Sequence, residues 1–110
     1  MLATVISTAV PGQAVVDAGS KALGREPLPA GDEAGFGCLL ERTDIRVIRM
    51  SEEHGILDLR GSDWQPKVGD VVRIVPNHVC VVVNMVDRMI AVRGDKIVDV
   101  LSVAARGRLA

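Results

Sequence analysis

The chain has 110 residues, of which 48% are hydrophobic, 25% charged and only 2% aromatic, a composition typical of one compact domain. Because the 13 Lys and Arg residues are balanced in charge by 14 Asp and Glu residues, there is no basic surface for nucleic acid or anionic lipid. With one Phe, one Trp and no Tyr, the chain also lacks an aromatic platform on which bases could stack.

The first 16 residues carry no charged side chain, yet they do not fit a signal peptide or a membrane span. A signal peptide begins with a basic region, whereas the first cationic side chain here is Lys21. A spanning helix needs about 20 apolar residues, and the pair Pro11-Gly12 interrupts this stretch. We expect two short strands near residues 4–9 and 14–18, joined by a Pro-Gly turn, and no membrane association.

Residues 22–37 predict a long loop. Four glycines and two prolines break any regular period, so the segment is expected to form at most a short helical turn. Loops of more than about 12 residues inside a compact domain tend to be functional or to rest on a partner surface. The sequence therefore marks this loop as a candidate contact surface.

The remainder of the chain predicts short strands separated by turn signals. β-Branched residues alternate with charged ones in these segments, and no helical period of 3.6 is sustained. The predicted strands cover residues 44–49, 55–59, 71–75, 79–85, 89–92 and 97–103, with a helical turn as the alternative at 98–105. This pattern predicts a mostly β fold: one small antiparallel barrel or sandwich-like domain, residues 1–110, with long loops and at most short helices.

Residues 76–80, Pro-Asn-His-Val-Cys, are the most informative segment for chemistry. On a strand, His78 and Cys80 would project from one face with Cα atoms about 6.6 Å apart, where an imidazole nitrogen and a thiolate can share a zinc ion. Two protein ligands are fewer than a closed structural zinc site requires, so such a site would be open to substrate. The opposite face is apolar and is expected to meet the core: Val79, Val81, Val83 and Met85. The alternative is that Cys80 is a small buried apolar residue and that His78 caps a backbone group.

The second histidine, His54, follows two carboxylates, Glu52 and Glu53. It is a candidate third metal ligand, or an acid/base group oriented by a glutamate, because the ordinary pKa of imidazole lies near neutrality. The alternative is a solvated turn before a strand.

Three other features have weaker chemical interpretations. Residues 17–21 predict a small-residue turn that could hold an anion on backbone amides beside Lys21, although a solvated lysine is the alternative. Residues 106–108, Arg-Gly-Arg, could contact a carboxylate or phosphate or form a soluble tail. Two cysteines, Cys38 and Cys80, are too few for a disulfide framework, so we expect a cytoplasmic protein with reduced thiols. The side chains assigned to packing are Phe36, Cys38 and Trp64.

Six segments carry a family resemblance when they are taken in order along the chain. They are residues 4–7 (TVIS), 15–23 (VVDAGSKAL), 51–55 (SEEHG), 69–70 (GD), 76–80 (PNHVC) with Asn84, and 106–108 (RGR). Together they resemble the C-terminal domain of the D-threonine aldolase and D-serine dehydratase-like family of pyridoxal phosphate enzymes. The resemblance spans nearly the whole chain.

The resemblance implies a β-rich domain that closes the active site of a β/α barrel carrying pyridoxal phosphate, as in the alanine-racemase-like fold. It assigns His78 and Cys80 as ligands of a divalent metal beside the cofactor, where the metal contacts the substrate's β-hydroxyl. Cysteine at the second position is similar to the zinc-using D-serine dehydratase branch, whereas aspartate there is more usual in aldolases that prefer manganese. The implied reaction is elimination from, or retro-aldol cleavage of, a D-3-hydroxy amino acid, with the metal as Lewis acid.

The size of the chain limits what it can do alone. A chain of 110 residues cannot hold the barrel or its cofactor-binding lysine, and Lys21 is no substitute because its segment belongs to the C-terminal domain in the family. We expect a domain excised or separated from a barrel that lies in the same gene product or in a second chain. Dimerisation, common among relatives, would cover the 22–37 loop.

Two other functions remain open from the sequence. One is a stand-alone, non-catalytic β-domain that binds a protein partner or a small ligand. The other is a cysteine-dependent activity at Cys80 with His54 or His78 as base.

Overall fold

A computed structural model describes residues 1–28 and 35–108. Within these described residues, eight strands and two short helices follow one another. The strands are β1 (Leu2–Ser7), β2 (Gln13–Val16), β3 (Gly37–Leu39), β4 (Val47–Met50), β5 (Gly55–Asp58), β6 (Val71–Pro76), β7 (Arg88–Arg93) and β8 (Lys96–Ser102), and the helices are α1 (Ser20–Leu23) and α2 (Val79–Asn84).

Six of the strands form an antiparallel sheet that curls into a nearly closed barrel. Their order is β3-β6-β1-β2-β5-β4, so β3 and β4 are the two edges. The edges approach each other, because Phe36 donates its backbone N–H to Val47 at 2.8 Å and Leu39 donates to Ile45 at 3.0 Å. The predicted mostly β, antiparallel barrel-like fold with short helices is confirmed.

The barrel is filled by aliphatic side chains that alternate along each strand. In β1 the buried residues are Ala3 and Val5, and in β6 they are Val72 and Ile74, which is the period of two expected for a strand with one face inward. Phe36 and Trp64 pack against this core, as predicted, while Cys38 is half-buried in β3. The fully buried large side chains are Val5, Val16, Leu23, Ile45, Val47, Leu57 and Ile74.

Two elements differ from the sequence expectations. The predicted strand at 79–85 is wrong: this segment forms helix α2, in which Val82 is the buried residue and Val79 is 61% exposed. Strand β3 was not predicted: it begins at the last residue of the predicted 22–37 loop and pairs with β6. Residues 29–34 of that loop lie outside the described residues.

Strands β7 and β8 form a separate two-stranded hairpin beyond the barrel. Every residue of β8 is exposed, and so are all residues of β7 except the half-buried Ala91. Pairing places Ile90 opposite Val100 and Val92 opposite Ile97, so one face of the hairpin is aliphatic. Within the described residues, no helix is both long and apolar enough to cross a membrane.

Candidate metal site

His78 and Cys80 lie at the junction between β6 and α2. His78 is the N-cap residue of α2 and has extended backbone angles, φ −138° and ψ 114°. Cys80 is the second residue of the helix, and both side chains are exposed. The expectation that a strand projects the two from one face therefore does not hold. The junction instead places both residues at the solvent-exposed start of a helix, two positions apart in the sequence.

Helix α2 is held in place by its packing. Val82 is its one buried residue, and α2 contacts α1. At the point of approach, a Cβ added to Gly24 would lie 3.5 Å from the Cβ of Val81. Helix α2 therefore packs against the end of α1 directly after Cys80.

The described part of the chain, 1–28 and 35–108, contains no group of three or more His, Cys, Asp or Glu side chains that could hold a metal ion. His54 is therefore not grouped with His78 and Cys80 as three ligands of one ion. It lies in an exposed turn, where its N–H donates to Ser51 Oγ at 3.1 Å and its carbonyl accepts from Ser51 N at 2.9 Å. A metal at His78 and Cys80 would need further ligands from elsewhere.

The segment that begins α1 packs on the same turn. Ser20 N donates to the Ser51 carbonyl at 2.9 Å and Lys21 N donates to the Glu52 carbonyl at 3.1 Å. The predicted anion site on these amides is therefore wrong for Ser20 and Lys21, because both N–H groups are already used. Gly19 makes the approach close, since an added Cβ there would lie 2.5 Å from the Ser51 and Glu52 carbonyl oxygens.

An exposed ion pair joins α1 to this turn as well. Lys21 Nζ donates to Glu53 Oε1. This hydrogen bond raises the pKa of Lys21 and lowers the pKa of the Glu53 carboxyl. Lys21 is therefore a charged partner of Glu53.

An open basin of about 790 Å³ lies beside the C-terminal end of α2. Three cations, Lys21, Arg106 and Arg108, line it, of which Arg106 pairs with Asp87. Asn84 Oδ1 accepts a hydrogen bond from Gly107 N at 3.1 Å. The Arg-Gly-Arg segment is therefore docked against α2.

Most of the chain matches a known protein family. Residues 1–92 match the model of the family described as "Putative serine dehydratase domain". The chain belongs to this family. The match ends inside β7, so β8 lies beyond it.

Relatives with this domain differ greatly in length. An uncharacterised protein from Mycobacterium tuberculosis is 40% identical over 94 residues, which are 86% of this chain and 69% of that protein. The 3-hydroxy-D-aspartate aldolase of Paracoccus denitrificans is 36% identical over 108 residues, which are 98% of this chain and 26% of the aldolase. The domain thus occurs in short chains and as about a quarter of full-length enzymes.

Solved structures confirm the fold relationship. The D-threonine aldolase from Filomicrobium marinum superimposes with a TM-score of 0.80 at 36% identity, over 99% of this chain and 28% of that one. A D-threo-3-hydroxyaspartate dehydratase from Delftia sp. gives a TM-score of 0.70 at 29% identity, over 92% and 30%. The chain is therefore a domain found in D-serine dehydratase-like and D-threonine aldolase-like enzymes, and it spans about a third or less of these enzymes.

The dehydratase has also been solved as two single-residue variants. One replaces a histidine and the other a cysteine, two positions apart, and the cysteine variant is in a metal-free form.

Proposed function

We propose that this chain is the metal-binding domain of a pyridoxal-phosphate-dependent lyase that acts on D-3-hydroxy amino acids, of the D-serine dehydratase or D-threonine aldolase type. The observation that carries the proposal is the pair His78 and Cys80, exposed together where β6 meets α2. Their spacing equals that of the histidine and cysteine altered in the related dehydratase, whose cysteine variant has been solved in a metal-free form.

The chemistry of the two side chains fits a borderline-soft divalent ion. Imidazole nitrogen and thiolate sulfur are both common zinc ligands, and the thiolate favours zinc over manganese. Both side chains are accessible, so water, substrate or a second protein surface can complete the coordination. Such an open site suits a catalytic or substrate-binding metal better than a structural one.

A metal held here would act as a Lewis acid on the substrate's β-hydroxyl. The contribution of this chain is to hold that ion at one wall of the active site, with His78 and Cys80 oriented by the β6–α2 junction. His54 remains a candidate acid/base group or ligand on the 51–54 turn. Pyridoxal phosphate would be bound by a β/α barrel of about 250 residues in the same chain or a second one, so the 110 residues are inactive alone.

Zinc titration of the purified chain tests the metal site. We expect His78→Ala and Cys80→Ala each to weaken zinc binding by about a hundredfold or more, since even changes to groups behind the ligands cost ten- to a hundredfold. Cys38→Ala is the matched control, because that half-buried thiol in β3 should leave the affinity unchanged. His54→Ala reports whether the second histidine contributes. Zinc affinity that is the same in the wild type and in both ligand variants would overturn the assignment.

The short mycobacterial relative favours a second candidate function. Because 94 aligned residues make up 69% of that protein, it leaves no room for a barrel of about 250 residues. The alternative is a stand-alone, non-catalytic β-domain that binds a protein partner or small ligand. Affinity capture distinguishes the two: recovery of a barrel-type subunit supports the lyase, whereas unrelated partners support the binding module. Sedimentation of the purified chain tests for a homodimer.

A further inference from the structure

Asn77 directly precedes His78 and ties together two distant parts of the backbone. Its half-buried side-chain amide donates two hydrogen bonds, to the Glu26 carbonyl at 2.9 Å and to the Gly35 carbonyl at 2.7 Å. An Asn amide has two N–H donors, and both are used here. The side chain therefore clamps the two ends of the 26–35 segment to the end of β6.

One acceptor of this clamp, the Gly35 carbonyl, belongs to a residue with further backbone contacts. Gly35 O also accepts from Leu28 N at 3.2 Å, which closes the same segment by a backbone bond. Gly35 has φ +136°, and a Cβ there would lie 2.7 Å from the Val47 carbonyl oxygen, so this close approach to β4 requires glycine. Through Gly35, Asn77 is consequently tied to a loop position that packs directly against β4 of the barrel.

The two proposed metal ligands lie between two anchored positions of the backbone, Asn77 and Val82. Before His78 the backbone is held by Asn77, and after Cys80 it is held by the buried Val82. His78 itself has no side-chain capping hydrogen bond to the start of α2. The backbone angles of the junction therefore depend on anchors on either side, of which Asn77 is the nearer to His78.

We propose that Asn77 is a positioning residue that holds His78 and Cys80 in the arrangement that binds metal; this assignment rests on the proposed function. Without its two hydrogen bonds, the junction is free to sample backbone angles that separate the imidazole from the thiolate. The intrinsic affinity of each ligand is unchanged, but the fraction of molecules in the binding-competent arrangement falls, and the apparent affinity falls with it.

The test measures metal binding by the folded chain. Zinc affinity is obtained by competition with a chromophoric chelator, and cobalt(II) is used as a second probe, because thiolate ligation gives a sulfur-to-cobalt charge-transfer band. The variants are Asn77→Ala, which removes both donors, and Asn77→Gln, which retains them on a longer side chain. Asn84→Ala is the matched control, since this other Asn contacts Gly107 at the far end of α2.

We expect Asn77→Ala to weaken zinc binding by about tenfold, in the range seen when groups behind metal ligands are removed, and to reduce the cobalt charge-transfer intensity at fixed cobalt. Asn77→Gln should recover part of both signals, and Asn84→Ala should match the wild type. Far-UV circular dichroism identifies variants that remain folded, and a purely structural role would lower stability without changing either metal signal.

Two results would overturn the proposal, and they are distinguishable. If the wild type binds zinc and a folded Asn77→Ala chain binds it equally tightly, the positioning role is wrong while the metal site stands. If the wild type itself binds neither zinc nor cobalt through His78 and Cys80, the proposed function fails and this assignment falls with it.

Discussion

Gly19 is tightly enclosed where the start of α1 packs on the 51–54 turn. A Cβ at this position would lie 2.5 Å from the carbonyl oxygens of Ser51 and Glu52. We expect Gly19→Ala to lower the free energy of unfolding by about 1–3 kcal/mol, the usual cost of overpacking, as measured by urea denaturation.

The control for that prediction is Gly61→Ala. Gly61 has φ +83° but no heavy atom within 4 Å of an added Cβ, so only the backbone preference is lost there, at about 1 kcal/mol. A Gly19→Ala chain as stable as the wild type would show that the α1 segment does not approach the 51–54 turn this closely.

The Lys21–Glu53 pair should make the stability of the fold depend on pH. The Glu53 carboxyl has a lowered pKa because Lys21 hydrogen-bonds to it, so the pair stabilises the fold above the unfolded-state pKa of glutamate and loses this effect as pH falls through the lowered pKa. Lys21 has a raised pKa, so its contribution is present below the unfolded-state pKa of lysine and is lost only as pH rises through the raised value. Between these two limits the contribution is constant.

Carbon-detected NMR titration of Glu53 checks this pairing. In Lys21→Met the pKa of Glu53 should rise toward its ordinary value, whereas Lys21→Arg should keep it low. Because both side chains are exposed, the effect on overall stability is expected to be small. An unchanged Glu53 midpoint in Lys21→Met would contradict the ion pair.

Among the elements, helix α2 is where structure and sequence pattern disagree. Its sequence, VCVVVN, is rich in β-branched residues that favour strands. The helical penalty for such residues is only some tenths of a kcal/mol each, so burial of Val82 and contact with α1 can override it. A single sequence shows the local preference but not the contact that outweighs it.

Valine substitutions in α2 distinguish the observed helix from the strand that the sequence predicts there. In the helix, Val82 is buried and Val79 is 61% exposed, so Val82→Ala should cost about 2 kcal/mol and Val79→Ala no more than about 0.5 kcal/mol. A strand with Val79, Val81 and Val83 facing the core predicts the reverse order. Urea denaturation of the two variants decides between them.

The limits of prediction from sequence are also visible in β3 and at the candidate metal site. Strand β3 has three residues beside a Gly-rich loop, and it forms because β6 offers it hydrogen bonds, a long-range contact that no local pattern reports. Strands β1, β2, β5 and β6 were predictable because their inward residues alternate.

His78 and Cys80 were selected by an argument from strand geometry that proved wrong, and by a family resemblance that the comparisons confirmed. The sequence alone assigns no role to Asn77, because its side-chain hydrogen bonds go to loop carbonyls that are 42 and 51 residues away in the chain.

At the scale of the whole molecule, the β7–β8 hairpin forms a separate sheet, and we expect it to contribute little to the stability of the barrel. Ile90 and Val100 are 59% and 49% exposed, and an isolated two-stranded hairpin is marginal in water. Replacing both by Thr should leave the urea midpoint of the barrel within experimental error. The same variant should bind less of a hydrophobic dye such as ANS. A large loss of barrel stability would show that the hairpin packs on the core.

The strand order also constrains when the barrel can form. Strands β1, β2, β5 and β4 are neighbours in the sheet, and all of them are made before β6. Strand β3 is made before β4 and β5, yet its sheet partner is β6, and β1 also pairs with β6 about 70 residues later. Such distant pairings slow folding. During synthesis, β1 therefore has no partner along its β6 side until Pro76 has emerged, and this open edge is where a chaperone or a second chain would bind.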